Sequence, residues 1–195
     1  MNTEPTNLEP ANDMNNEKEV RVQVQWMVHR DLAEVVAIEQ ACFEFPWSEE
    51  DFLDCLRQRN CSGMVAKYEG RVVGFMIYEI SKKNRIHLLN IATSPDYRYR
   101  GVARQMVRKL IGKLINQKRT RIVSKVRETN LSALLFLRSL GFRATNILRN
   151  FYEEMNEDAY LMQYRLPMEL RHPEYMPLNR ITDRVSSSPL PVGEQ

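Results

Sequence analysis

The feature that most constrains the fold is an amphipathic pattern between Val102 and Ile115 that stands directly between two strand patterns. Its apolar residues recur in two rows at a spacing of four, and the basic residues lie off those rows. Such rows form the core-facing stripe of a helix. The apolar run "RIHLLNIAT" precedes the helix, and "RIVSKV" follows it. A strand, a helix and a strand in this order predict a parallel strand pair at the centre of a helix-covered sheet.

Patterns on the N-terminal side add a strand and two helices. "VRVQVQWMV" alternates apolar and polar residues from Val20, which is the period of a strand. "DLAEVVAIEQACF" has the period of a helix, with Asp31 as its N-cap and Glu34 as the capping-box partner. A second helix should begin at Ser48, where acidic residues fill the first turn, and run to about Arg59.

The remaining patterns complete an α/β fold. "GMVAKY" and "RVVGFMIYEI" are strands joined by a short turn. "NLSALLFLRSLGF" is a helix that begins near Asn130 and ends at Gly141, and two strands follow near 142–151 and 159–165. The predicted order is β α α β β β α β α β β, a mixed central sheet flanked by helices.

Length and composition predict one domain with two tails. A chain of 195 residues can bury one substantial core, which we expect between residues 19 and 167. Residues 1–18 are rich in Asn, Glu, Pro and Thr, so we expect a disordered N-terminal tail. Residues 168–195 thin out into Pro, Ser and Arg, so we expect a flexible C-terminal tail.

Cysteine content and hydropathy narrow the class of protein. Cys42, Cys55 and Cys61 are an odd number without metal-type spacing, so we expect reduced thiols, a cytoplasmic setting and no metal. No apolar run approaches the roughly 20 residues that cross a bilayer, so no membrane role is expected.

The positions of the charged residues are more informative about binding than the net charge. The formal net charge is only +3, yet every charged residue between Tyr97 and Arg127 is basic. The stretch "YRYRGVA" places arginines around Gly101 where the strand should meet the helix. A helix N-terminus offers unpaired N–H groups to an anion, and a glycine lets the backbone approach it closely. The pattern favours a diphosphate site, and a solvated helix face is the alternative.

"YRYRGVA" resembles the R/Q-x-x-G-x-G/A coenzyme loop of the GNAT N-acetyltransferase family. "FEFPWSEEDF", "NIATSPDYRYRGVA", "VRETN" with "SLGF", and "RNFYEEMNEDAYLM" are similar to its bacterial branch that acetylates the N-terminal alanine of a ribosomal protein. The resemblance covers about Val20 to Leu166. It implies the GNAT fold, acetyl-CoA as acetyl donor, and a protein or peptide N-terminus, such as that of a ribosomal protein, as acceptor.

The resemblance also implies a coenzyme site. In the family, the glycine loop holds the diphosphate, and the preceding strand splays at a bulge so that its backbone meets the pantetheine arm and the thioester carbonyl. In this sequence, the resemblance implies the following coenzyme-binding residues: Leu89, Ile91, Ala92, Thr93, Arg98, Tyr99, Arg100, Gly101, Val102, Ala103, Arg104 and Asn130. Asn130 is equally explained as a helix N-cap, and both roles are compatible.

Two departures from the family concern proton transfer. Relatives carry a glutamate, a candidate general base, where this chain has Lys125. They carry a tyrosine, the general acid for the leaving thiolate, where this chain has Leu137. Losing a positioned acid or base typically costs ~10²–10⁴-fold in rate. An α-amino group, with a reference pKa of about 7.7–8.0, needs little help from a base.

Three residues are candidates for catalysis. His87, on the central strand, aligns with a catalytic tyrosine of some relatives, although a structural role is the commoner one for a strand histidine. Tyr152 aligns with a tyrosine of the loop that closes over substrate, and packing at a strand end is the alternative. Glu44 could bind the incoming amine or be solvated.

The segment after the first helix is expected to wall the peptide slot. The residues are Phe45, Pro46 and Trp47. A hydrophobic staple for the second helix explains Trp47 almost as well.

Two other functions remain open at this point. One is a GNAT enzyme that acts on a lysine side chain or a small amine, which would need a stronger base. The other is a domain that binds acetyl-CoA with little turnover and faces RNA or the ribosome through its basic residues. A nucleic-acid partner is not expected, because no aromatic residues interleave the basic helix face for base stacking.

Overall fold

The computed structural model describes residues 19–171, whose strands form one seven-stranded mixed sheet. The strands are β1 (Gln23–Trp26), β2 (Cys61–Tyr68), β3 (Arg71–Ser81), β4 (Arg85–Thr93), β5 (Arg121–Arg127), β6 (Arg143–Tyr152) and β7 (Glu157–Arg165). The α-helices are α1 (Leu32–Cys42), α2 (Glu49–Arg57), α3 (Val102–Asn116), α4 (Leu131–Ser139) and α5 (Met168–Arg171). The predicted element order and the mixed α/β sheet are confirmed.

The order of strands across the sheet is β1-β2-β3-β4-β5-β7-β6. All neighbouring pairs are antiparallel except β4 and β5, which are parallel, as the strand–helix–strand pattern predicts. Their pairing covers only Arg85–Leu88 against Arg121–Ser124. Beyond Leu88 the two strands diverge, and the sheet opens along its central line.

Two hydrophobic clusters cover the two faces of the sheet. On one face α3 buries Met106, Leu110 and Leu114 completely, in a cluster that also holds Ile86 and Ile122. This is the stripe that the spacing of four predicts. On the other face α1 and α2 pack on the sheet through Val35 and Phe52, and the Phe52 ring meets the Phe75 ring edge-on at 5.5 Å.

Helix caps decide where several elements begin. Ser48 Oγ accepts a hydrogen bond from Asp51 N at 3.1 Å, and α2 begins at the next residue. Asn130 Oδ1 accepts from Ala133 N at 3.0 Å at the start of α4. Gly141 follows α4 with a φ of 89°. These predicted caps are confirmed.

The predicted capping box at α1 is wrong. Asp31 precedes the first residue of α1, but its side chain makes no hydrogen bond to the first turn. Asp31 Oδ2 instead accepts from Val28 N at 3.0 Å, and Oδ1 accepts from Lys67 Nζ at 2.6 Å. Glu34 Oε2 accepts from Val72 N at 3.0 Å. Both carboxylates therefore join α1 to the sheet, which is a tertiary role that local spacing does not reveal.

The ends of the described region add three facts. β1 begins at Gln23, three residues later than the alternating pattern from Val20 suggests. The predicted tails, residues 1–18 and 168–195, lie outside the described residues apart from 168–171, which form α5. No helix between residues 19 and 171 is long and apolar enough to cross a membrane.

Replacing Asp31 with Asn should lower the free energy of unfolding by about 2–3 kcal/mol at pH 7, because a buried charge-assisted bond to Lys67 is lost. Burial raises the pKa of Asp31, but the bonds from Lys67 and Val28 outweigh it, and the net pKa lies below the ordinary value. The stabilisation is therefore present above the unfolded-state pKa and lost as pH falls through the folded one. Urea unfolding of both proteins should show the difference shrinking below about pH 4.

A surface variant provides the control. Asp54 pairs with Arg57 at 2.7 Å, and both side chains are more than 60% exposed, at 63% and 70%. Asp54→Asn should change the free energy of unfolding by less than about 0.5 kcal/mol. A pH-independent loss in the Asp31 variant would show that the charge of this carboxylate does not stabilise the fold.

Candidate active site

A β-bulge lies next to the point where the sheet opens. Ile77 pairs with Asn90 and Tyr78 pairs with Leu88, which leaves Leu89 without a partner on β3. On the other edge, β4 has no β5 partner after Leu88. The backbone of Leu89–Ile91 therefore faces the opening on the β5 side, as the bulge and splay of the sequence interpretation require.

A cavity of about 480 Å³ fills the opening between the two central strands. Its walls are β4 at Leu88–Ile91, β5 at Ser124–Arg127, the first turns of α4, the loop after α1, and Tyr152. The cavity thus joins the exposed strand edge to the loop that was predicted to hold the acceptor. A site with two ends in this arrangement can hold two reactants side by side.

The structure brings together seven of the 18 predicted site residues around the cavity. Those that line the cavity are Glu44, Phe45, Trp47, Leu89, Ile91, Asn130 and Tyr152. Those outside its lining are Pro46, His87, Ala92, Thr93 and the loop residues Arg98, Tyr99, Arg100, Gly101, Val102, Ala103 and Arg104. Trp47 also packs on Phe52 at 5.3 Å, which is the contact expected of the hydrophobic staple.

His87 lies on the paired part of β4, before the splay. Its register partners are Glu79 on β3 and Val123 on β5. Burial, with the positive charges of Arg85 and Lys125, lowers the pKa of His87, and the imidazole is neutral near pH 7. Its Nε2 is buried and has no hydrogen-bond partner among the described residues.

The loop from Arg98 to Gly101 leads into the N-terminus of α3. Tyr99 and Gly101 have left-handed backbone conformations, with φ of 62° and 78°, and α3 begins at Val102. The N–H groups of its first turn have no intrahelical acceptor and point out of the helix start. Arg98 Nη2 donates to Cys42 Sγ at 3.3 Å, and Cys42 lines the cavity. The loop is therefore continuous with the cavity through this contact.

Gly101 is also a point of close approach. A Cβ at this position would lie 2.6 Å from Glu19 Oε1, so no larger residue fits without movement. The segment before β1 is held there by Gln105, whose Nε2 donates to Val20 O at 2.7 Å and whose Oε1 accepts from Val22 N at 3.1 Å. The left-handed backbone conformation therefore favours glycine, whereas the exposed Glu19 side chain could move aside for a larger residue.

Glu39 is a cavity residue that the sequence interpretation missed. It is 1% exposed, and its carboxylate accepts from Trp47 N at 3.0 Å and from Asn90 Nδ2 at 3.0 and 3.1 Å. Burial raises the pKa of Glu39, and these bonds act against that shift. Glu39 therefore ties the loop after α1 to β4 just past the bulge. Its position in the periodic pattern of α1 gave no sign of this role.

A charged cluster lies at the opposite wall. Arg127 donates to both oxygens of Glu157, at 2.9 and 3.0 Å, and its Nη2 is 3.8 Å from Glu44 Oε2. Tyr152 Oη donates to the Lys125 carbonyl at 3.5 Å. Burial raises the pKa of Tyr152, so its hydroxyl keeps its proton at neutral pH.

Both departures from the family pattern lie in the cavity wall. Leu137 is 2% exposed and offers no proton to the cavity. Lys125 Nζ lies 4.2 Å from the centre of the Phe151 ring, and Lys125 also lines the cavity. Both side chains therefore border the cavity between β4 and β5. No group of three metal-ligating side chains occurs within residues 19–171.

Comparison with known proteins identifies this architecture. The Acetyltransferase (GNAT) family pattern matches residues 32–142, a span that runs from α1 through α4. The chain belongs to the GNAT family. It is an N-acetyltransferase, and the enzymes of this family use acetyl-CoA.

Individual relatives agree with the family assignment. A ribosomal protein bS18-alanine N-acetyltransferase of Escherichia coli K12 is 31% identical over 140 residues, which are 71% of this chain and 93% of the relative. The crystal structure of the ribosomal-protein-S18-alanine N-acetyltransferase from Escherichia coli superposes with a TM-score of 0.68 at 29% identity, over 76% of this chain and 96% of that one. Ard1 from Thermoplasma volcanium gives a TM-score of 0.70 at 23% identity, over 76% and 99% of the two chains, and shows the shared fold.

The residues present fit an acyl-CoA molecule. The exposed strand edge at Leu89–Ile91 offers backbone groups to an extended amide-containing arm. The left-handed turn at Gly101 and the helix start behind it suit a diphosphate. Arg104, whose Nη2 donates to Ser139 Oγ at 3.3 Å, places a further cation at this helix end.

Glu39→Ala should reduce acceptor binding more than donor binding in this N-acetyltransferase. The substitution leaves Trp47 N and Asn90 Nδ2 without an acceptor and releases the loop that lines the acceptor side. We expect KM for an acceptor peptide to rise by about tenfold, KM for acetyl-CoA to stay within twofold, and unfolding to become easier by about 2 kcal/mol. Steady-state kinetics with each substrate varied in turn would measure this. Glu39→Gln should restore most of the loss, because one amide oxygen can accept both bonds.

Glu34→Ala is the matched control. Glu34 is on the same helix and also accepts one backbone N–H, from Val72, but it does not line the cavity. It should lower stability without changing KM for the acceptor. Equal changes of acceptor KM in both variants would rule out a specific role of Glu39 in positioning the loop.

Proposed function

We propose that the protein transfers an acetyl group from acetyl-CoA to the N-terminal amine of a protein, with a ribosomal protein as the preferred class of acceptor. The observation that carries this proposal is the cavity at the splay of β4 and β5, which joins the strand edge behind the glycine loop to the loop at Phe43–Trp47. The bS18-alanine acetyltransferase of Escherichia coli, at 31% identity, supports the choice of acceptor.

The donor half of the site is built from backbone. Acetyl-CoA supplies a thioester carbonyl and a thiolate leaving group. The first turn of α3 and the loop around Gly101 would hold the diphosphate with N–H groups. The free edge at Leu89–Ile91 would bind the pantetheine arm and polarise the carbonyl, a contribution of about 3 kcal/mol per donor in other acyl transfers. Asn130 faces the same cavity while capping α4.

The acceptor half is built from side chains. Phe45 and Trp47 form an apolar wall, and Tyr152 faces them across the cavity. Glu44, whose side chain is 70% exposed, offers a carboxylate at the rim, where it also approaches Arg127. A peptide N-terminus could enter between these residues and reach the strand edge. Pro46 and His87 stay predicted residues outside this cavity lining.

Proton transfer is assigned to the substrate's own acidity and to Tyr152. An α-ammonium group near Lys125 and Arg127 is disfavoured by like charge, which shifts it toward the neutral, nucleophilic amine. The acceptor nitrogen then bonds to the acetyl carbon, the C–S bond breaks, and the amine proton leaves to water. Tyr152, protonated at neutral pH, can donate its proton to the departing sulfur, which leaves as the thiol of CoA, and the phenolate then regains a proton from water. Both substrates occur in the cytoplasm, where we place the reaction.

Peptide substrates can distinguish an N-terminal amine acceptor from a lysine acceptor. With acetyl-CoA and peptides that begin with Ala, Ser or Met, release of free CoA should depend on an unblocked N-terminus. The same peptides with a blocked N-terminus and an internal lysine should show background rates, because a lysine side chain is almost entirely protonated at pH 7 whereas an α-amine is partly neutral. Turnover on the blocked peptides would favour the lysine or small-amine alternative. Binding of acetyl-CoA without any turnover would favour the binding-module alternative.

A tyrosine at position 137 would restore the hydroxyl that the family resemblance implies there. Leu137→Tyr places a proton donor in the cavity wall where relatives have one, and kcat for peptide acetylation should rise by at least about tenfold. Leu137→Phe is the matched control, since it fills the same space without a hydroxyl. The kcat of each variant would be measured at saturating concentrations of acetyl-CoA and peptide. An equal kcat for Tyr and Phe would show that thiolate protonation does not limit the reaction.

A further inference from the structure

Three chain segments that are distant in sequence meet at one end of the sheet. They are the β3–β4 turn, the loop between α3 and β5, and the end of β7. Thr120 N donates to Asn84 O at 3.3 Å, and Leu166 N donates to Thr120 O at 2.8 Å. Arg119 Nη1 donates to the Ser81 carbonyl. These bonds join the segments into one surface, which we call the basic end.

The basic end concentrates positive charge. Its segments, residues 81–85, 117–121 and 165–167, contain seven basic residues and no acidic or aromatic residue. The basic residues are Lys82, Lys83, Arg85, Lys118, Arg119, Arg121 and Arg165. Four of them are exposed and three are half-buried. Sequence order hides this surface, because its residues come from three separate parts of the chain.

Three of the arginines lie side by side on adjacent strands. Arg85 of β4 is the register partner of Arg121 of β5, which is the register partner of Arg165 of β7. Register partners project to the same face, on strands about 4.8 Å apart. Like charges directly opposite destabilise a sheet. Within residues 19–171, none of the three has a carboxylate within 4.0 Å.

The coenzyme site does not account for this charge. The row lies where β4 and β5 begin, whereas the glycine loop follows the other end of β4, about 26 Å away along an extended strand from Arg85 to Thr93. The cavity lies along the later halves of both strands. An anion at the start of α3 is too distant to neutralise the row, since the screening length at physiological salt is about 8 Å. The basic end therefore fits a second, separate anionic partner.

We propose that the basic end docks the enzyme on the phosphate backbone of double-helical RNA. A row of closely spaced cations matches a line of phosphates, whose contacts would replace the repulsion between the arginines. The three segments have no aromatic residue for base stacking, which favours the backbone of a helix over a single strand. The choice of RNA over DNA rests on the proposed function, in which the acceptor is a ribosomal protein.

Binding of a fluorescent RNA duplex of about 20 base pairs, measured by anisotropy between 50 and 200 mM salt, tests the proposal. The test variant carries Lys82→Gln, Lys83→Gln and Arg165→Gln, three exposed positions of the basic end. It should bind at least about tenfold more weakly at 50 mM salt, and the slope of log K against log salt should fall by about 2–3. Acetylation of a free peptide should be unchanged.

A charge-matched variant provides the control: Arg21→Gln, Arg30→Gln and Arg71→Gln, all exposed and all remote from the basic end. It should change the slope by less than about one. Equal weakening in both variants, or no binding by the wild type, overturns the proposal. Equal affinity for a DNA duplex, or binding only to anionic vesicles, overturns the RNA assignment. RNA binding without peptide acetylation contradicts the proposed function alone, and acetylation without RNA binding contradicts docking alone.

Discussion

The short parallel pairing of β4 and β5 is the constraint on which the rest of the site depends. Four residues of β4 pair with β5, and the bulge at Leu89 marks the end of the pairing. Had the ladder continued, its backbone groups would satisfy one another and no cavity would exist. Because it stops, strand-edge groups remain that need an external partner. Leu88 and Ser124 are the last register pair of the two strands, and Ser124 Oγ donates a hydrogen bond to Leu88 O at 3.0 Å. The opening therefore begins directly after Leu88.

One buried carboxylate connects this opening to the surface that would receive the acceptor. Glu39 accepts hydrogen bonds from Trp47 N and Asn90 Nδ2, so one carboxylate connects α1, the loop at Phe43–Trp47 and β4. A buried acid is costly unless it is hydrogen-bonded, and here both oxygens have donors. The staple of Trp47 on Phe52 adds packing to the same loop. The loop at Phe43–Trp47 is therefore held by buried interactions, unlike an ordinary surface loop.

The sequence predicted what local patterns control and missed what distant contacts control. The stripe of α3, the caps Ser48 and Asn130, and the order of elements follow from spacing and turn chemistry, and all are confirmed. Glu39 could not be found in this way, because its partner Asn90 is 51 residues away and a helical glutamate is usually solvated. The bulge at Leu89 also shifts which β4 side chains share a face. Period-two counting from His87 therefore gives the wrong face for the residues after Leu89.

The two departures at Lys125 and Leu137 carry a consequence for the choice of substrate. With Lys125 at the position where the resemblance implies a glutamate, the proposed reaction favours an amine that is already neutral. At pH 7 an α-amine with a pKa near 7.8 is several hundredfold more often neutral than a lysine with a pKa near 10.4, a difference of about 3.5 kcal/mol. The positive charge of Lys125 lowers the pKa of either amine, but only the α-amine then becomes mostly neutral. Under the proposed function, the lysine at position 125 would therefore favour N-termini over lysine side chains, and the departure would be a source of selectivity as well as a cost in rate.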